Sequence, residues 1–290
     1  MLNPSRLYLP KLDNPPLTIL DYLCLRFPHM DRAILQTRLS SGKIFLENGN
    51  TISIDTPYRF GITLFYYREA VAESQIPFQE QIIFQNQDIL VADKPHYLPV
   101  TPAGSYVNQS LLARLQKHTG LPELSPIHRL DIGTAGIVLF SLKREHRHLY
   151  HSLFTSGNIV REYFAVASIF SDIDCQQWVV ENRLVPGEPW FRMKIVPGII
   201  NAITRIILKE RRANRGLFQL FPSTGKKHQL RIHLATLGFP IVNDPLYPEI
   251  ENLASQDYSN PMQLLAKRLL FLDPISGKEM EFESKFTLQW

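Results

Sequence analysis

A chain of 290 residues, 44% of them apolar, can bury a sizeable core, which excludes intrinsic disorder as a description of the whole. No stretch is long and apolar enough for a membrane helix, and residues 1–16 mix Pro, Asn, Lys and Asp where a signal peptide would be apolar, so a soluble cytoplasmic protein without membrane contact is expected. The two cysteines, Cys24 and Cys175, lie far apart and outside any Cys/His cluster, and a formal charge of +4 is modest, so composition points to no disulfide framework, zinc site or other metal centre.

Residues 1–70 read as a small unit of their own. Leu20, Leu23 and Phe27 recur at helical spacing, and Asp31 precedes a second helical pattern with Ile34, Leu35 and Leu39 that ends at Ser40-Ser41-Gly42. Residues 43–46 and 51–54 then read as two strands turning at Glu47-Asn48-Gly49-Asn50. This order of helix, helix, hairpin, with basic Arg32, Arg38 and Lys43, resembles the S4-type RNA-binding module. The resemblance implies that these three side chains face a sugar-phosphate backbone, whereas charge alone is equally compatible with an ordinary solvated surface. A linker over residues 71–79 is expected, where Ala, Glu, Ser, Gln and Pro77 break the periodic pattern.

The larger domain is expected over residues 80–290. Residues 82–84 and 89–91 flank Asn86-Gln87-Asp88 as a hairpin, residues 111–118 form a short helix and residues 136–141 a strand. Residues 143–155 follow as a helix with Leu149 and Leu153 on one face and Gly157 as its stop, then residues 160–167 resume as a strand. Helices interposed irregularly among short strands predict an α+β fold with a mixed, largely antiparallel sheet. From Arg205 to Arg231 the chain carries eight basic residues against the single acid Glu210, whereas residues 232–290 carry a net −4. Such asymmetry suits a face that attracts a polyanion, or else a basic hairpin that is merely solvated.

Three segments carry candidate chemistry. In His128-Arg129-Leu130-Asp131-Ile132-Gly133-Thr134-Ala135-Gly136, a carboxylate stands in a loop just before a strand, where a rigid sheet can present it as a nucleophile; an Asp beside Gly also caps turns. In Thr224-Gly225-Lys226-Lys227-His228-Gln229-Leu230-Arg231-Ile232-His233-Leu234, the residues Leu230, Leu234 and Leu237 share a helical face that Gly238 ends. Free N–H groups near Thr224-Gly225, reinforced by Lys226 and Lys227, would suit a phosphate, although the spacing is not that of a nucleotide P-loop. On the strand Arg161-Glu162-Tyr163-Phe164-Ala165, Tyr163 and the small Ala165 share a face with room for a planar ligand, or for ordinary core packing.

Taken together these segments resemble the RluA-type pseudouridine synthases, enzymes that isomerise uridine in structured ribosomal or transfer RNA. The resemblance rests on Ala92-Asp93-Lys94-Pro95, Leu98-Pro99-Val100, His128-Arg129-Leu130-Asp131 with Thr134 and Gly136, Tyr163 with Ala165, and the stretch from His228 to Leu234 followed by Asp244 and Tyr247, all in the family's order over residues 82–247. It implies that Asp131 is the catalytic nucleophile or charge stabiliser, that Arg231 keeps it ionised, and that Tyr163 stacks on the target base and helps remove its C5 proton. Arg129 would enter the RNA stack as the uridine leaves, and His128, Lys226, Lys227 and His228 would line the RNA. The isomerisation gains and loses no atom, so no cofactor is expected, and the resemblance suggests a monomer. His96-Tyr97, Ala135, Arg161, Ser168, Asn243 and Pro248 depart from the family's usual residues, several of them at common Gly positions, which bears on substrate choice. The rival readings are a non-catalytic RNA-binding protein that kept the fold and a ribonuclease using His128, His228 and His233.

Overall fold

A computed structural model describes residues 4–28, 30–67, 73–104, 106–170, 175–250 and 258–289, in two units, Met1–Val71 and Ala72–Trp290. In the smaller unit β1 (Ser5–Tyr8) is followed by α1 (Ile19–Arg26), α2 (Arg32–Ser40), β2 (Ile44–Leu46) and β3 (Thr63–Tyr66). Helix α1 begins where it does because the Thr18 hydroxyl accepts from the Asp21 N–H while the Asp21 carboxylate reaches back to Thr18, a reciprocal capping box. Asp31 caps α2 through the Ala33 N–H. The three strands lie in the order β1-β3-β2 over a core of Leu20, Leu23, Leu35, Leu39 and Leu64.

The expected hairpin differs. Residues 51–54 do not form a strand; only a single bridge joins Phe45 to Thr51, and β2 pairs instead with β3. The Asn48-Gly49 turn closes on the Leu46 and Asn50 backbones, but the next residues bend away because Thr56 and Ser53 bond to each other. The expected linker also differs. Residues 71 and 72 lie outside the described residues, whereas Glu73 accepts from the backbone N–H groups of Asn108 and Gln109 and Ile76 is buried in the core of the larger unit.

The larger unit contains β4 (Gln81–Gln85), β5 (Ile89–Lys94), α3 (Leu111–Thr119), β6 (Ser125–Pro126), β7 (Ala135–Ser141), α4 (Arg147–Ser156), β8 (Ile159–Ser168), β9 (Gln177–Pro186), β10 (Met193–Val196), β11 (Ala202–Arg212), β12 (Arg215–Pro222), α5 (Gln229–Thr236), β13 (Leu264–Leu272) and β14 (Glu279–Glu283). Among the described residues these strands make one eleven-stranded sheet, ordered β10-β9-β11-β12-β8-β13-β7-β5-β4, with β14 on β13 and β6 on β7. All described pairings are antiparallel except β7 with β13, so the fold is α+β with a mixed, largely antiparallel sheet. Among the described residues no helix is long and apolar enough to cross a membrane. Both faces of β5 and β7 are buried, which is why they read as near-continuous apolar runs. Helices α3 and α4 end at Gly120 and Gly157 in the left-handed conformation. Helix α4 starts at Arg147 rather than at residue 143, because the Lys143 and His146 side chains both bond to Asp88 and hold the approach out of the helix.

The parallel pair forms where the Asp131 loop enters the sheet, with Ala135 opposite Leu265 and Gly136 opposite Ala266. Gly136 has φ +115°, and a Cβ there would fall on the Ala266 carbonyl, so only glycine fits. Gly136→Ala is therefore expected to cost about 3 kcal/mol of stability from overpacking and backbone strain, seen as a lower denaturant midpoint at unchanged m. Gly157→Ala, with φ +76° and nothing within 4 Å of the added carbon, should cost only about 1 kcal/mol.

Candidate active site

The loop between β6 and β7 is anchored residue by residue. The Ile127 N–H donates to the Leu139 carbonyl and the Thr134 N–H to the Asp131 carbonyl. Behind the loop, the fully buried Lys94 donates to the carbonyl oxygens of Pro95, Leu98 and Ile132 at 2.9, 2.7 and 3.3 Å. Burial lowers the Lys94 pKa to about 7, against the pull of the nearby Asp131 carboxylate. The His96 Nδ1 lies 2.6 Å from the Gly133 carbonyl and donates to it. Two side chains from the end of β5 and its following turn thus fix the backbone immediately after Asp131, and its carboxylate stands partly open, with the side chain 29% exposed.

Helix α5 brings Arg231 to that carboxylate. Its Nε and Nη2 donate to the two oxygens of Asp244 at 2.7 and 2.6 Å, a bidentate fork, while Nη1 donates to Asp131 Oδ2 at 3.2 Å. Asp244 is itself held by the N–H groups of Leu246 and Tyr247. Burial opposes the charge on Arg231, but the hydrogen bonds and charges of Asp244 and Asp131 outweigh it and raise the guanidinium pKa. The Arg231 guanidinium also lies 5.3 Å from the Tyr247 ring centroid.

The helix is held to the sheet by polar pins. Gln229 donates to the Ile203 carbonyl and the Thr204 hydroxyl and accepts from the Thr224 hydroxyl and the Lys226 N–H, which satisfies its amide on both sides. The fully buried His233 sits 2.9 Å from Thr204 Oγ1 and 3.1 Å from Asn182 Oδ1. These contacts overturn the expected phosphate cradle. The helix starts at Gln229 rather than next to Gly225, and the Thr224 hydroxyl is engaged with Gln229 and the Ile203 N–H. Lys226 and Lys227 are exposed on the loop before it.

His228 occupies the left-handed region at φ 56°, with Nδ1 3.0 Å from the Tyr247 hydroxyl and Nε2 3.8 Å from Asp131 Oδ2. Tyr163 faces the same carboxylate from β8. Its register runs Gly136, Ala266, Tyr163, Leu220 across β7, β13, β8 and β12, so the sheet fixes it two strands from the Asp131 loop. Burial raises its phenol pKa, Arg161 opposes this and Asp131 adds to it, and among the described residues its hydroxyl has no hydrogen-bond partner.

The remaining expected residues separate. Arg129 is exposed, two residues before Asp131. His128 is not an RNA-facing side chain: its ring stacks on Phe154 at 4.7 Å and its Nε2 accepts from the Leu139 N–H, so it packs beneath the loop. In the smaller unit Arg32 pairs with Asp21 at 2.8 Å, Arg38 contacts the Met30 sulfur and Lys43 is exposed. Composition gave no role to Lys94, Asp244 or Gln229, although a charge ending an apolar strand was the available signal for Lys94. The departures at Tyr97 and Asn243 keep a glycine-like backbone, with φ 66° and 61°. Tyr97 is held there by stacking on Phe78.

Burial lowers the pKa of His96, His228 and His233 to about 4 and that of His128 to about 3. In the unfolded chain each titrates near 6.5, so below that pH the unfolded state binds protons that the folded state refuses. Stability should therefore be highest above pH 6.5 and fall as pH drops through 6 toward 4. Denaturant midpoints at pH 7 and pH 5 check this; equal values would show that the histidines are not held neutral.

The family description "RNA pseudouridylate synthase" matches residues 88–236. An uncharacterized RNA pseudouridine synthase of Synechocystis is 28% identical over 79% of this chain and 79% of its own length. The dual-specificity RNA pseudouridine synthase RluA of Vibrio cholerae is 29% identical over 67% of this chain and 78% of its own. Against mouse pseudouridylate synthase RPUSD2, 30% identical, the match spans only 30% of that longer protein. The solved human RNA pseudouridylate synthase domain containing 1 shares the fold with TM-score 0.59 at 20% identity, over 74% of this chain and 86% of that one. The region matched contains the Asp131 loop, β8 and α5, and this chain belongs to the RNA pseudouridine synthases, as a member of the RluA type.

Proposed function

We propose that the enzyme converts uridine to pseudouridine in a structured ribosomal or transfer RNA, with Asp131 as the group that acts at C1′. The observation that carries this reading is the carboxylate of Asp131, partly open to solvent, held by a buried Arg231 that is itself locked by Asp244. Breaking the bond from C1′ to N1 builds positive charge at C1′, which an ionised carboxylate captures or stabilises. The freed uracil turns over and its C5 bonds to C1′, which releases the Asp131 carboxylate. The product loses the proton on C5 and gains one on N1, so composition is unchanged.

Tyr163 is the stacking platform for the flipped base. Its hydroxyl relays the C5 proton: it takes that proton as its own passes to water, and water protonates N1, so Tyr163 ends unchanged. Arg129, exposed beside the site, fills the gap left in the RNA stack. Lys226, Lys227 and His228 border the same opening. We assign Arg32, Arg38 and Lys43 of the smaller unit to RNA backbone contact in the S4 manner. The enzyme works as a monomer in the reducing cytoplasm, where Cys24 and Cys175 stay as free thiols. A histidine ribonuclease is disfavoured, since His128 and His233 are both engaged inside the fold.

Asp131→Asn keeps the shape and removes the charge, so the pseudouridines in total cellular RNA that depend on this enzyme should vanish with fold and RNA affinity kept; activity within tenfold of the parent would remove Asp131 from the chemistry. Tyr163→Phe should bind RNA near parental affinity with product formation lower by about 10² to 10⁴. Parental turnover would return Tyr163 to the role of a core ring.

A further inference from the structure

Beyond the reacting uridine, the turn between β9 and β10 carries a feature that packing does not explain. Trp190 is 79% exposed, at the rim of the site rather than in any core. Its turn is rigidly placed: the Gly187 N–H donates to the Arg192 carbonyl and the Arg192 N–H to the Pro189 carbonyl. The turn is also tied to the catalytic side of the molecule. Arg192 donates to the Pro248 carbonyl at 2.7 Å with its guanidinium 4.9 Å from the Tyr247 ring centroid, and the Met193 N–H donates to the Tyr247 hydroxyl at 2.7 Å. That hydroxyl is the one that meets His228, the neighbour of Asp131.

One further contact shows what the ring faces. The Lys227 ammonium lies 5.8 Å from the Trp190 ring centroid, and Lys227 directly precedes His228 in the chain. An open indole beside a cation, with Lys226 exposed next to it, matches the two parts of a nucleotide: a flat base for stacking and a phosphate for the charge. A hydrophobic protein partner would be poorly served by the exposed Lys226 and Lys227, since lysine is depleted at protein interfaces.

We propose that Trp190 is a specificity-determining stacking platform for an unpaired base flanking the target uridine, with Lys227 on the adjoining phosphate. The inference rests on the reading of Asp131 and its surroundings as the RNA site. Stacking on an indole is tolerant of base identity, so the platform selects for an unpaired flanking nucleotide rather than for a sequence. Among the groups bordering the site it would be the one that distinguishes a loop from a continuous duplex.

The test uses the full chain carrying Asp131→Asn, so that binding is read without turnover and whether or not Asp131 is the nucleophile. Binding of a fluorescein-labelled single-stranded RNA decamer of mixed sequence is measured by anisotropy across a salt series. Trp190→Ala should weaken binding by about five- to a hundredfold with the salt slope unchanged, and Trp190→Phe should recover most of the loss. Lys227→Gln should instead lower the slope by about 0.7. A blunt-ended RNA duplex of the same length should not sense Trp190→Ala. Because the ring is exposed, the substitution leaves folding intact, which circular dichroism checks. Parental affinity in Trp190→Ala, or equal losses in the Ala and Phe variants, would each overturn the assignment.

Discussion

The site depends on one guanidinium shared between two carboxylates. An arginine buried to this degree is tolerable only if its donors are matched, and Asp244 matches two of them in the planar fork that arginine alone offers. The third donor then points in a fixed direction, toward Asp131. The two acids do not have equal standing. Asp244 is fully enclosed and further satisfied by two backbone N–H groups, so it serves the arginine, whereas Asp131 keeps an oxygen available to solvent. A lysine in place of Arg231 would hold one acid or the other, not both in this geometry.

Much of the secondary structure was legible because it depends on local chemistry. Asp31 caps α2 as its side chain requires, and Gly157 stops α4. What could not be read depends on distant partners. Residues 51–54 have strand-like composition, but past the Phe45–Thr51 bridge the chain turns away where Ser53 and Thr56 bond to each other. His128 looked like part of a catalytic block, and only its position beneath β7 and against Phe154 shows that it packs. Thr224 and Gly225 suggested an anion cradle until Gln229, four to five residues on, turned its amide back onto them.

The candidate site residues were grouped by their order along the chain. Asp131, Tyr163 and Arg231 come from a loop, a strand and a helix that share no local signal, so periodicity could never have grouped them. Lys94 and Asp244 complete the arrangement from behind, and it is their burial and contacts that show what they do. At Tyr97 and Asn243 the backbone adopts the path that glycine favours even though the residue has changed, so those departures alter side chains at the surface of the site and leave the course of the chain in place.

The parallel pairing of β7 with β13 also sets a timetable. The strand that carries the Asp131 loop into the sheet needs as its neighbour a strand that begins at Leu264, well over a hundred residues later. At ordinary translation speeds of roughly 5 to 20 residues per second, the carboxylate leaves the ribosome on the order of ten seconds before its support exists. During that interval only the start of β7, at Ala135 and Gly136, lacks its neighbour, since β5 and β6 already pair with the rest of the strand. A growing chain therefore has no working site to apply to the RNA around it.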